Sequence, residues 1–250
     1  MVLAGIGAGT INTIVGSGSL ITFPTLLFLG YPPVPANISN NLAMLGGGVT
    51  GTWGYRRELE GTAPLLRRLA PMSVLGGISG ALLLLWLPAG AFKAIVPVLI
   101  AFGLVLVLLG PRISAWSTRR HAELEGREPA WQAPALTGGT YLAGVYGGYF
   151  GAAQGVILVG LLSALGRGTL QTLNACKNVL AFLVNLVAGI TFAITAWDQI
   201  RWEAVALVGL GSLIGGFLGA GIGRRLPSSV LRAVIVLVGV VGIVKLVFFS

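Results

Sequence analysis

The sequence predicts an all-α polytopic membrane protein made of two inverted-topology repeats. Three observations predict this class: a strongly apolar composition, two sets of long apolar segments, and a match between the two sets along their length. Of the 250 residues, 55% are hydrophobic and 9% are charged, with a mean hydropathy of +0.91. Long apolar stretches with few charges are typical of membrane-spanning helices. The apolar runs are continuous rather than alternating, which argues against a membrane β-barrel.

Each repeat is predicted to contain a broken or re-entrant helical hairpin followed by three transmembrane helices. The first repeat, residues 1–110, has its hairpin at 1–30 and its helices at 36–55, 70–87 and 92–110. A polar loop rich in Arg and Glu follows at 111–134, and it holds the single histidine, His121. The second repeat, residues 135–250, has its hairpin at 135–165 and its helices at 172–196, 204–223 and 230–249.

The repeat is visible as an ordered series of matched residues. The offset between the halves rises from 135 to 139, which a few one-residue loop insertions explain. An internal match of this length indicates duplication rather than chance. The matched pairs, first half before second, are Ala8-Gly9 with Ala143-Gly144, Gly16 with Gly151, Asn37 with Asn174, Asn40-Asn41 with Lys177-Asn178, and Gly76-Gly77 with Gly215-Gly216.

Each predicted hairpin is two short apolar runs separated by small residues, Gly16–Ser19 in one half and Gly151–Gly155 in the other. Interrupted apolar segments at corresponding positions of two halves are typical of the binding site of a transporter. The runs at 20–29 and 156–165 are too short to cross a bilayer, which takes about 20 helical residues. Each segment is therefore either one kinked span or a re-entrant hairpin.

The basic residues distinguish these two geometries. Setting aside Lys177 and Lys245, the chain has fourteen Lys and Arg residues to place. They divide 9 to 5 between the two sides if the second segment spans, but 12 to 2 if it is re-entrant. The positive-inside rule favours the second division. It predicts a multi-pass membrane protein with residues 111–134 in the cytoplasm and a re-entrant second segment. Extended to the first segment by the symmetry of the repeat, it gives three crossings per half, which makes the halves inverted.

Lys177 is the charged residue best placed for chemistry. It lies in the sequence Asn174-Ala-Cys-Lys-Asn178, inside a predicted span, and it matches Asn40 of the first half. An ionisable residue within a membrane segment is by default a functional hypothesis. The structural alternative is that Lys177 lies near its helix start and extends towards the interface. If it is functional, its charge implies an anionic guest, or an uncharged lysine when the site is empty.

The small-residue boxes would supply the rest of an anion site, because free backbone N–H groups at a helix start attract negative charge. The structural alternative is that small residues only allow close helix packing, as Gly76-Gly77 and Gly215-Gly216 are expected to do. We predict a substrate site formed by Gly16, Ser17, Gly18, Ser19, Asn40, Asn41, Gly151, Ala153, Gln154, Gly155, Asn174, Lys177 and Asn178.

Other classes of function are poorly supported by the residues. A Ser/His dyad at the Gly16–Ser19 box would need a base in reach, and His121 lies in the polar loop. One cysteine, one histidine and no intramembrane carboxylate do not make a metal site. We therefore expect no catalytic residue, no metal and no cofactor. The net charge is +9, and the basic residues lie beside apolar segments, where they set the membrane topology. The partners expected are therefore the lipid bilayer and a small anion, and not a nucleic acid. A homo-oligomer is left open.

The chain resembles the TauE/SafE family of sulfite and organosulfur-anion permeases over nearly its whole length. The resemblance implies a bacterial or archaeal inner-membrane permease for sulfite or an organosulfonate such as sulfoacetate. We expect the protein to be a secondary transporter that works by alternating access across the bacterial inner membrane. An anion channel and, less well supported, an intramembrane enzyme remain alternatives. The motifs that carry the resemblance are Gly16–Pro24, Gly30–Asn37, Tyr55-Arg56-Arg57, Gly144–Gly151, Asn174–Asn178, Gly215–Ala220 and Arg224–Pro227.

Overall fold

The structure is a computed structural model that describes residues 1–123, 130–222, 233, 235–241 and 244. Within these residues the chain is helical and has no strand, which confirms the predicted all-α class. Residues 233, 235–241 and 244 are helical as well. The helices are α1 (Val2–Ile14), α2 (Ser19–Phe28), α3 (Pro33–Gly54), α4 (Ala63–Trp86), α5 (Ala89–Glu123), α6 (Gln132–Tyr149), α7 (Gln154–Leu165), α8 (Leu170–Thr195) and α9 (Trp202–Ile222), with 3₁₀ turns at Arg56–Leu59 and Trp197–Gln199.

The predicted segments and the helices differ most at α5. This helix was expected at 92–110 and extends from Ala89 to Glu123, so the first half of the predicted polar loop is helical. Alanine, arginine and glutamate favour helix, so the loss of hydropathy marks the end of the apolar segment and not the end of the helix. Residues 124–129 of that loop, and most of the predicted helix at 230–249, lie outside the described residues.

Four helices of the described chain are long and apolar enough to cross a membrane: Ala63–Trp86, Gly90–Leu109, Leu170–Thr195 and Trp202–Gly221. Three shorter apolar helices, α1, α2 and α7, have 13, 10 and 12 residues. At about 1.5 Å per residue, none of these three could span a hydrocarbon core of about 30 Å. Large apolar side chains on the outer surface, such as Leu142 and Ile194, suit contact with lipid.

Helices α1, α3 and α9 pack together and run in the same direction. Gly9 of α1 lies against Gly47 of α3, and Thr13, one turn later, lies against Gly51. Helix α9 packs along both helices with the same direction. Because α1 and α3 are parallel, the chain between them must return to the side where α1 began, and α2 is the segment that returns.

Helices α4, α6 and α8 form the corresponding group of the other half. Gly76 of α4 lies against Gly144 of α6, and Gly80 lies against Val145 and Tyr149, so these two helices are also parallel. Helix α8 packs against α4. Each group therefore contains one helix, α4 or α9, whose sequence belongs to the opposite predicted repeat.

Matched helices α3 and α8 meet in opposite directions. Gly48, in the second half of α3, lies against Phe182, in the first half of α8. Gly189, further along α8, lies against Leu42, earlier in α3. Corresponding helices that run antiparallel are what two inverted repeats require. The inverted repeat itself remains a prediction, which this arrangement supports.

Both interrupted segments fold back on themselves. The Gln132 side-chain amide, at the start of α6, donates to the Leu165 carbonyl oxygen at the end of α7 (2.9 Å), so the segment enters and leaves at one place. In the first half, Gly18 lies against Ala8 and Asn12 of α1, so the chain has already reversed when α2 begins.

Candidate functional site

The two breaks have the same backbone hydrogen-bond pattern. At the end of α1 the carbonyl oxygen of Ile11 accepts from Val15 N (2.7 Å) and Gly16 N (3.2 Å). At the end of α6, the oxygen of Tyr146 accepts from Phe150 N (2.9 Å) and Gly151 N (3.3 Å).

The matched glycines of the two breaks also share their backbone conformation. Gly16 and Gly151 have φ of +86° and +78°, in a region that glycine enters without steric strain. Each helix is thereby ended by a glycine that turns the chain.

The two breaks are in direct contact. Gly155 N donates to the Gly16 carbonyl oxygen at 3.0 Å. A Cβ added to Gly155 would lie 2.4 Å from the Gly16 Cα, so only glycine fits. Close packing, the structural alternative for the small-residue boxes, therefore accounts for Gly16 and Gly155. Close packing does not account for the residues that flank these two glycines.

Helix α7 begins after a strained residue. Ala153, fully buried, has φ +63°, and it is the one described non-glycine residue with positive φ. Such a conformation is uncommon for alanine, and persists only where the surroundings enforce it. It positions the next residue, Gln154, which is buried with its side-chain amide against Gly147.

Lys177 connects the two breaks. Its aliphatic chain passes Gly155, where a Cβ would lie 2.9 Å from the lysine Cδ. Its ammonium group then donates to the carbonyl oxygens of Asn12 (2.9 Å) and Thr13 (3.2 Å) in the last turn of α1. The side chain is 1% exposed, so it does not extend to the membrane interface. The structural alternative for Lys177 required such an extension.

The surroundings of the Lys177 ammonium group offset only part of its positive charge. The carbonyl end of a helix carries a partial negative charge, equivalent to roughly half an electron. In the described chain the acidic residues lie at helix ends or in connections. The cation is therefore buried beside dipoles and has no carboxylate counter-ion in the described part of the protein.

Asn37 and Asn174, which the repeat pairs, make reciprocal contacts. Asn174 Nδ2 donates to the Thr13 carbonyl oxygen of α1 (3.2 Å). Asn37 Nδ2 donates to the Tyr149 carbonyl oxygen of α6 (2.9 Å). Each half thus supplies an asparagine that binds the broken helix of the other half. Asn37 does not cap its own helix, α3, whose cap has no side-chain hydrogen bond.

Asn40, the counterpart of Lys177, is oriented differently. Its Nδ2 donates to Ser19 Oγ (3.0 Å), and its Oδ1 accepts from the Thr22 hydroxyl. Both polar ends of the amide therefore bind the first turn of α2. Gly18 N donates to Asn12 Oδ1 at 3.4 Å, so one N–H group of the first box is engaged as well.

Asn185 was missed by the sequence reasoning. Asn41 Nδ2 donates to Asn185 Oδ1 (3.3 Å) where α3 meets α8. Asn185 lies seven residues after Asn178, two helical turns away on the same face of α8. That spacing was the available signal, but a single asparagine far from the Asn174–Asn178 motif did not stand out.

Five of the predicted site residues have a buried polar atom without a hydrogen-bond partner in the described chain. Leaving such atoms unpaired costs about 1–3 kcal/mol each, so they mark a place where a polar guest or water would be stabilised. Three of the five atoms can donate, and Ser17 and Gln154 adjoin in sequence the two glycines of the contact between the breaks. The atoms are Ser17 Oγ, Asn41 Oδ1, Gln154 Nε2, Asn174 Oδ1 and Asn178 Nδ2.

The fold and this arrangement define a membrane transporter: helices broken at matched positions, with buried polar residues where the breaks meet. The chain belongs to the sulfite exporter TauE/SafE family, whose model matches residues 1–246. This confirms the family resemblance.

Relatives of the chain carry transporter names. The probable membrane transporter protein YfcA of Escherichia coli K12 is 30% identical over 256 residues, covering 97% of this chain and 87% of that protein. The probable membrane transporter protein ORF9 of Sinorhizobium sp is 28% identical over 246 residues, covering 96% of this chain and 88% of the relative. The probable membrane transporter protein of Haemophilus influenzae is 27% identical, with coverages of 98% and 92%. These names point to a transporter rather than an enzyme. No solved structure gives a significant match.

Proposed function

We propose that the protein carries a small sulfur oxoanion, sulfite or an organosulfonate such as sulfoacetate, by alternating access. The substrate binds where the two breaks meet. The observation that carries this proposal is Lys177, whose ammonium group is buried at this meeting point and reaches from α8 to the end of α1.

The charge of the guest follows from the Lys177 environment. A cation buried in a membrane protein needs a compensating charge or several strong acceptors. Two carbonyl oxygens supply part of this compensation. An ammonium group has three N–H bonds, so one further acceptor can be accommodated. An anion completes both the charge balance and the hydrogen-bond count.

The shape of the guest follows from the unpartnered donors. Ser17 Oγ, Gln154 Nε2 and Asn178 Nδ2 are buried and have no partner in the described chain. With Lys177 they offer four donating groups, which suits a compact oxoanion with several acceptor oxygens. A neutral apolar solute would leave these donors unpaired. The family name, sulfite exporter, is consistent with such a substrate.

The proposed site uses the predicted residues unequally. Lys177, Ser17, Gln154 and Asn178 contact the anion. Asn174 and Asn40 hold the broken helices in place, through α1 and α2 respectively. The glycines and Ala153 allow the approach of the two breaks, while Asn41 connects α3 to α8.

Alternating access is supported by the two helix groups. The group α1, α3 and α9 and the group α4, α6 and α8 meet where α3 and α8 run antiparallel. Two inverted groups around one central site are the usual basis of alternating access in secondary transporters. We propose that the two helix groups rock against each other along α3 and α8. The moving units are then the helix groups and not the two sequence halves.

The proposed orientation places the basic connections in the cytoplasm of a bacterial cell, at the inner membrane. Arg68 of α4 donates to Thr137 Oγ1 (3.0 Å) and to the Ala133 carbonyl oxygen, both at the start of α6. The end of α7 adjoins the same place through Gln132. The connection at Arg167 therefore shares a side with Arg56 and Arg68, which supports the 12 to 2 division of basic residues.

A counterflow experiment distinguishes the carrier from a channel. Purified protein is reconstituted into liposomes loaded with unlabelled sulfite, and uptake of external labelled sulfite is followed. A carrier gives saturable, transient accumulation, whereas protein-free liposomes give none. An ohmic single-channel current without counterflow would contradict alternating access. Counterflow of a neutral solute but no oxoanion would contradict the anion site.

A further inference from the structure

The ends of α1 and α6, which the repeat matches, differ in the partners of their last carbonyl oxygens. At α1, the carbonyl oxygens that follow Ile11, those of Asn12 and Thr13, accept the two hydrogen bonds of the Lys177 ammonium group. The matched carbonyls of α6 follow Tyr146 and belong to Gly147 and Gly148. No hydrogen bond described in the structure ends on either of them.

The side chain matched to Lys177 cannot serve these carbonyls. It is Asn40, and its amide is bound to Ser19 and Thr22 at the start of α2. Gly147 and Gly148 are both buried. Buried backbone carbonyls are nearly always paired, so a donor or a cation at the end of α6 would be stabilised, and no partner of these two carbonyls is described.

Two buried polar side chains converge on the same helix end. Gln154 is 2% exposed, and both polar atoms of its amide lie within 2.6 Å of where a Gly147 Cβ would be. Asn37, also 2% exposed, donates to the Tyr149 carbonyl oxygen with Nδ2. Its Oδ1 has no partner in the described chain.

We infer that the carbonyl end of α6 binds a monovalent alkali cation, held by the carbonyls of Gly147 and Gly148 and the amide oxygens of Asn37 and Gln154. At the matched position of α1, the carbonyl oxygens bind the Lys177 ammonium group, which is a cation attached covalently to the chain. Oxygen ligands at the carbonyl end of a broken helix are the usual coordination of a coupling cation in transporters.

The charge of the ion follows from the ligands. All four are neutral oxygens, and a divalent cation normally requires carboxylates as well. The matched occupant at α1 also carries a single positive charge. A second cation beside an anion site would offset the charge of the substrate during its passage. In this respect the inference rests on the proposed function, because the cation would be the coupling ion.

Gln154 connects the two sites. In the proposed arrangement its amide oxygen binds the cation, and its NH₂ group is one of the donors proposed for the anion. Binding of either ion would therefore orient this amide for the other. That predicts positive coupling between cation and anion, in which each raises the affinity for the other by the same factor.

The test is the thermal stability of the purified protein at constant ionic strength. N-methylglucamine chloride is replaced stepwise by NaCl or KCl, without sulfite. We expect the melting temperature to rise saturably with one of the alkali cations, because a ligand that binds only the folded state stabilises it. In Gln154→Ala the half-saturating concentration should rise by about tenfold or more, as expected for a lost ligand contact. Gln171→Ala, a glutamine exposed on α8, should match wild type.

Two further outcomes separate this inference from the proposed function. Lys177→Met should keep the cation response and lose sulfite binding. If neither NaCl nor KCl differs from N-methylglucamine chloride while sulfite still binds, the cation site is wrong and the anion site stands. An unchanged response in Gln154→Ala also overturns the cation site. If the cation stabilises the protein but no oxoanion binds, the proposed substrate is wrong and the cation site stands.

Discussion

Gly155 N and the Gly16 carbonyl oxygen are joined by a 3.0 Å hydrogen bond, which connects the two broken segments of the chain at their turns. Neither residue tolerates a Cβ, because each would meet backbone atoms of the other at 2.4 Å. Lys177 passes the same contact on its way from α8 to α1. The site is therefore organised around a backbone contact between two glycines.

The first prediction concerns this contact. In Gly155→Ala the new methyl group has to displace the backbone of Gly16, and overpacking of this kind costs about 1–3 kcal/mol or more. We expect a melting temperature several degrees lower and loss of counterflow. Gly138→Ala is the control, because nothing lies within 4 Å of a Cβ at that position of α6. Equal stability of the two variants would contradict the contact.

The second prediction concerns the helix group α1, α3 and α9. A Cβ at Gly215 would lie 2.1 Å from the Ile6 carbonyl oxygen, so Gly215→Ala should separate α9 from α1. The close approach of membrane helices depends on such small residues. We expect a clear loss of thermal stability in detergent. Gly221→Ala, in the same helix but with nothing within 4 Å, should behave as wild type.

The third prediction separates a structural from a substrate-binding asparagine. Asn174→Ala removes one of the two donors to the Thr13 carbonyl oxygen, which keeps its hydrogen bond from Lys177. It should destabilise the protein by about 0.5–1.5 kcal/mol, the net contribution of one hydrogen bond. Asn178, one turn later, has an Nδ2 without a partner in the described chain.

Asn178→Ala should therefore keep or raise the melting temperature while weakening sulfite binding. Both variants can be compared by thermal unfolding and by equilibrium binding of sulfite. A large stability loss in Asn178→Ala, with sulfite affinity unchanged, would show that Asn178 is structural.

The fourth prediction concerns the topology of the second hairpin. In a Cys176→Ala background, single substitutions Arg167→Cys, Glu60→Cys and Asp198→Cys are treated with a membrane-impermeant thiol reagent in intact cells. We expect only Asp198→Cys to react from outside, because the end of α7 lies beside the start of α6. Reaction of Arg167→Cys from outside, with Asp198→Cys protected, would indicate a kinked span instead.

The apolar composition and the internal repeat predicted the helical membrane class and the position of both breaks. Lys177 was also identified from sequence, because charge inside an apolar segment is easily seen. The repeat then indicated which residues to compare, including Asn37 with Asn174 and Asn40 with Lys177. Those pairs are where the structure is most informative.

The partners of these residues could not be predicted. Lys177 and Asn174 bind backbone carbonyls of α1, and any sequence would supply such carbonyls. Asn40 was expected to face substrate, but its amide binds α2 through Ser19 and Thr22. Which way an amide turns depends on helix rotation and spacing, which the pattern of apolar residues does not determine.

The most direct test of the account is equilibrium binding of sulfite to purified wild type and Lys177→Met. Methionine keeps most of the length of the side chain beside Gly155 but removes the charge. We predict that the variant stays folded and loses sulfite affinity by at least about tenfold, which corresponds to about 1.4 kcal/mol. Lys93→Met, which removes an exposed lysine of α5, should bind as wild type does. Unchanged sulfite affinity in a folded Lys177→Met protein would contradict the proposed anion site.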